Sequence, residues 1–66
     1  MIKLIHVHNM EHIQISIPID KILHLENLSE YSTKIVCAID GVREEIICKA
    51  STKTVEEQIK HVLGKD

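Results

Sequence analysis

The dipeptide Asp40-Gly41 stands between two stretches, 34–39 and 42–49, in which apolar residues recur at nearly every second position. Alternation of that period belongs to a half-buried strand, and Asp-Gly accepts the two consecutive left-handed conformations of a tight hairpin turn. With those two residues as the loop, Ile39 faces Val42, Cys37 faces Glu44 and Ile35 faces Ile46. One face of the hairpin then carries Ile35, Cys37, Ile39, Val42, Ile46 and Cys48, and the other carries Lys34, Arg43, Glu45 and Lys49. Burial of the first face is predicted.

The same register settles the cysteines. Cys48 lies opposite Thr33, and at ~3.4 Å of rise per residue its distance from Cys37 is too long for a disulfide. Both cysteines therefore read as small buried hydrophobes. A reactive thiol needs a neighbouring cation or a helix terminus, and the middle of a strand offers neither.

Toward the N-terminus, Ile2, Leu4, Ile13, Ile15 and Ile17 suggest the inner face of two more strands, joined near His8-Asn9-Met10-Glu11. Pro18 has no N–H to give to a ladder, so it ends the second strand or places it at an edge, before a corner at Ile19-Asp20. Ile22, Leu23, His24 and Leu25 predict a third strand with both faces covered, and 26–32 is the longest candidate loop. At the C-terminus Thr54-Val55-Glu56-Glu57 has the form of a capping box, with Thr54 as N-cap and Glu57 three residues on. Val55, Ile59, Val62 and Leu63 share one helical face, Glu56, Gln58 and Lys60 point outward, and Gly64 is placed to end the helix. The predicted fold class is α+β. It is an antiparallel β-meander of about five short strands (1–7, 12–17, 21–26, 33–39 and 42–49) with one C-terminal α-helix over 55–63, forming a single domain over 1–66.

Sixty-six residues with no Phe or Trp make a small core carried by isoleucine. A chain of this length buries roughly 60% of its unfolded surface, so association between copies is an expected source of stability. The net charge of −2 comes from interspersed acids and bases, which gives no basic stripe for nucleic acid, and one tyrosine makes no stacking platform. No apolar run has the ~18 residues of a membrane span, and the N-terminus lacks the h-region and cleavage site of a signal peptide. A cytoplasmic protein with reduced cysteines is expected.

Catalysis has no visible carrier. There is no nucleophile elbow, and Gly41 and Gly64 alone make no phosphate loop. Glu44 and Glu45 fall on opposite faces of a strand. The five histidines include His6-x-His8, whose rings share one side of a strand, with His12 beyond the turn. These three are the metal candidates, but no Cys or carboxylate is spaced to complete a four-ligand site, and in a two-residue-turn register His12 faces away. No metal and no cofactor are expected. His24 and His61 have no partner by spacing. The remaining candidate is the mixed-charge strand face of Lys34, Arg43, Glu45 and Lys49, read as a solvated face or as a protein-docking surface, and open sheet edges offer a second means of association.

The order Met1-Ile2-Lys3-Leu4, a turn near Asn9, Pro18-Ile19-Asp20-Lys21-Ile22, Asp40-Gly41, Cys48-Lys49-Ala50-Ser51 and Thr54-Val55-Glu56-Glu57-Gln58-Ile59 resembles the FlbD/SwrD family of small bacterial proteins along nearly the whole chain. Met10 stands where that family has a turn glycine, Ile17 where it has an asparagine, and Ser51-Thr52-Lys53 lengthen the approach to the helix. The resemblance implies a flagellar-associated accessory protein that supports motor output and has no catalytic residues. The function expected is thus a small non-catalytic interaction module, homo-oligomeric and docking to a protein partner, with no nucleic acid and no membrane insertion. A histidine-based metal module and a phage- or plasmid-encoded regulator of a host protein are the alternative readings.

Overall fold

A computed structural model describes residues 3–64, and Ile2 lies outside them. In chain order the elements are β1 (Leu4–His8), β2 (Gln14–Pro18), one 3-10 turn (Ile19–Lys21), β3 (Ile22–Ser29), β4 (Ser32–Ile39), β5 (Val42–Cys48) and α1 (Thr52–Leu63). Every strand pair is antiparallel, in a two-stranded sheet β1-β2 and a three-stranded sheet β3-β4-β5. The fold is the α+β meander expected of the sequence. Its division into two sheets comes from the turn after Pro18, which carries the chain from one sheet to the other.

The β4-β5 hairpin has the register read from Asp40-Gly41, with Ile39 opposite Val42, Cys37 opposite Glu44 and Thr33 opposite Cys48. Asp40 and Gly41 take φ of 52° and 79°, the paired left-handed geometry that matches the twist of the flanking strands.

The first hairpin differs from expectation. Five residues, 9–13, separate its strands, and the left-handed position is His12 (φ 66°). Asn9 organises this loop: its Oδ1 accepts from the N–H groups of Glu11 and Ile13 at 2.9 and 3.0 Å. The loop length pairs Ile5 with Ile17 and Val7 with Ile15, so Ile5 and Val7 face inward and Leu4 lies on the other face. Ile13, expected inside, is carried out on the loop and exposed.

The third strand is longer than the predicted 21–26. It runs to Ser29, and the expected loop contracts to a turn at Glu30-Tyr31, where Ser29 Oγ accepts from Tyr31 N–H and bonds Ser32 Oγ at 2.7 Å. A register shift between Ile22 and His24 lets both Ile22 and Leu25 pack on the core, a spacing that strict alternation forbids. Leu23 is left exposed.

Ile5, Val7, Ile17, Ile35, Cys37, Cys48 and Val55 form the core, drawn from both sheets and the helix. The helix starts three residues before the predicted 55. Ser51 is its N-cap, accepting from Thr54 N–H at 3.2 Å, and the capping box of Thr54 and Glu57 gives way to it. Ser51-Thr52-Lys53 are therefore the cap and the start of the first turn. Gly64 ends the helix at φ 75° and donates to His61 O, as its position predicts.

Gln58 also departs from expectation. Instead of facing solvent, its Oε1 accepts from His6 N–H at 2.7 Å, so the helix satisfies an edge donor of β1. Farther along that edge Lys49 N–H donates to His8 O at 2.8 Å, and Asn9 bridges to Cys48. These bonds join the two sheets.

Candidate functional site

Side-chain alternation on β4 puts Lys34, Val36 and Ala38 on the face opposite the core. From β5, Arg43, Glu45 and Ile47 join them, and from β3, His24 and Glu26, which pair with Val36 and Lys34. The face is strongly polar at its margins. Lys34 Nζ is 3.6 Å from Glu45, Arg43 Nε is 3.8 Å from the other oxygen of Glu45, and His24 Nε2 is 3.0 Å from Glu26.

Val36 lies between these groups, with His24 and Glu45 as its cross-strand neighbours. It is fully buried yet stands apart from the core cluster. It lies in the central strand between His24 and Glu45, with Lys34 and Ala38 two residues away on the same face, and long charged side chains tend to lie along apolar surface with their charged ends in water. The result is a face of mixed charge with Val36 buried at its centre and Ile47, beside Lys34, partly exposed.

Three of the four predicted surface residues, Lys34, Arg43 and Glu45, are thus brought together. Lys49 is not among them. It follows the last residue of β5, where its Nζ lies 3.4 Å from His12 Nε2.

His24 and Glu26 escaped the sequence reading as partners, although i and i+2 on a strand do share a face. Their place beside Val36 and Lys34 depends on the register shift in β3, for which the sequence carries no clear signal. The hydrogen bond from His24, with the Lys34 ammonium next in importance, holds the Glu26 carboxyl below its ordinary value of 4.5.

The histidine candidates do not converge. His6 and His8 project from the same face of β1, but His6 Nδ1 bonds Ser16 Oγ at 2.8 Å, while His12 sits in the loop beside Lys49. Among the described residues no three His, Cys, Asp or Glu side chains are grouped as metal ligands.

Both cysteines are buried free thiols. Burial, assisted at Cys37 by the Glu44 carboxylate, pushes each above its ordinary value, which favours the unreactive protonated form.

No family model, curated protein or solved structure matches the chain. No described helix is long and apolar enough to cross a membrane. The geometry defines an α+β domain with one sheet face turned to its core and the other presenting ordered charge.

Proposed function

We propose that this chain is a small non-catalytic interaction module that docks to a protein partner through the outer face of β3-β4-β5 and also self-associates. The observation that carries the reading is the arrangement of that face: Lys34, Arg43, Glu45, His24 and Glu26 surround the buried Val36, while the helix and the first hairpin pack on the opposite side. Paired charges on one sheet face offer a partner both steering and register, and the exposed Ile47 beside Lys34 offers an apolar contact. The resemblance to the FlbD/SwrD proteins adds the setting, a bacterial cytoplasm and a link to motility.

Affinity capture from a motile bacterial host, read by mass spectrometry, tests this with three baits: the wild-type chain, Glu26→Lys and Lys34→Glu. Flagellar stator or basal-body components retained by the wild type and lost from both variants are the expected result. Recovery of such components equally by all three baits removes the docking face from the proposal. Their absence from the wild-type sample removes the link to motility.

A further inference from the structure

The two-residue loop at Asp40-Gly41 makes Ile39 and Val42 a hydrogen-bonded pair. Backbone groups of Val42, Glu44 and Ile46 therefore point toward β4, and those of Arg43, Glu45 and Ile47 point away. Lys49 obeys the same alternation, since its N–H reaches outward to His8 O. Beyond the Asn9–Cys48 bridge, no strand among the described residues pairs with this side of β5.

The other sheet edges are less suited to pairing. β3 shifts register twice against β4, and β2 ends on Pro18, which has no N–H. β5 pairs with β4 through all seven of its residues without a shift.

Charge usually protects such an edge from other strands. Here the charges alternate in sign along the outward positions, positive at Arg43 and negative at Glu45, and one antiparallel register makes that pattern complementary to itself. We propose that two copies of this chain pair antiparallel along the free edge of β5, about a twofold axis at Glu44, so that Arg43 of each copy faces Glu45 of the other.

In this register Arg43 and Glu45 form the hydrogen-bonded pairs on the outer face, giving about four backbone hydrogen bonds across the axis. On the inner face Val42, 57% exposed in the single chain, lies against the half-buried Ile46 of the second copy. The opposing feature is Glu44, which meets its own copy across the axis. Like charges directly opposite weaken a strand pair, and this one marks the register. The inference rests on the reading of the chain as self-associating and names the surface involved.

Sedimentation over a range of concentrations tests it with the wild type, Arg43→Glu, Glu45→Arg, an equimolar mixture of those two variants, and Glu44→Gln, each checked for folding by circular dichroism. The wild type is expected to dimerise with rising concentration. Each charge reversal weakens the dimer roughly ten-fold or more, and the mixture restores it because opposite charges again meet across the axis. Any cost of a reversal within one chain persists in the mixture, so recovery there reports contact between chains. Glu44→Gln tightens association.

A wild-type dimer indifferent to Arg43→Glu and Glu45→Arg overturns the β5 interface and leaves self-association standing. A mixture that fails to recover, or a Glu44→Gln variant no tighter than wild type, overturns the register. A wild type that stays monomeric at every concentration overturns self-association itself.

Discussion

Among the described residues Thr33 is the one buried polar side chain, and its neighbours explain its presence. Its hydroxyl donates to Ala50 O at 2.8 Å and lies 3.0 Å from Thr52 Oγ1, tying the centre of the sheet to the passage between β5 and α1. Valine has the same shape without the hydroxyl and leaves Ala50 O without that donor. Thr33→Val is expected to cost about 1–3 kcal/mol, read as a lower denaturant midpoint at unchanged slope. Glu26 supplies a pH-dependent effect at the same scale. Its folded-state pKa is depressed, so its contribution to stability is present above the ordinary value of 4.5 and is lost as pH falls through the folded value. Thermal midpoints measured from neutral pH downward should fall less steeply in Glu26→Gln than in the wild type, and coincident profiles would show that the His24 contact is energetically silent.

Among the elements, the helix start is the sharpest case. Thr54 and Glu57 have the form of a capping box, but Ser51, without a Glu or Gln three residues on, caps the helix through its own hydroxyl, and the start at Thr52 adds nearly a turn to the helix. Ser51→Ala is expected to lower stability by about 1 kcal/mol in denaturant titration. Thr54→Ala removes only an exposed hydroxyl bonded to Ser51 Oγ and should cost less. Were Thr54 the larger loss, the assignment of the cap would be wrong. The β4-β5 hairpin, by contrast, is legible in loop length and register, because Asp-Gly prescribes both, but the burial expected of Val42 is not met: next to the turn and at the sheet edge it stays 57% exposed. The loop after β1 is not legible in this way: Asn9 can serve several turns, and only the pairing of Ile5 and Val7 with β2 distinguishes the five-residue loop from a shorter one.

At the scale of the molecule, two small sheets are joined by few backbone links, the Asn9–Cys48 bridge and the bond from Lys49 to His8. Their cohesion rests on α1, whose Val55 is fully buried in the shared core, with Ile59 and Val62 packed against it. Val55→Ala is expected to cost about 2 kcal/mol or more, from lost burial and the cavity left behind. Hydrogen exchange should show protection falling together at Ile5 in one sheet and Cys37 in the other. Loss confined to one sheet would mean that the two unfold separately.

Local patterns suffice wherever neighbours in sequence settle the geometry. The sequence by itself determined the α+β class, the register of β4 against β5, the burial of Ile35 and of both cysteines, the stop at Gly64 and the grouping of Lys34, Arg43 and Glu45. Only the tertiary structure decided the parity of β1, the register shift that lets Ile22 and Leu25 face one core, the use of Gln58 on the edge of β1, and the placement of His24 and Glu26 beside Val36. Each of these depends on which strand or helix lies alongside, and two apolar sets such as Leu4 with Ile2 and Ile5 with Val7 remain equivalent until a second element arrives to bury one of them.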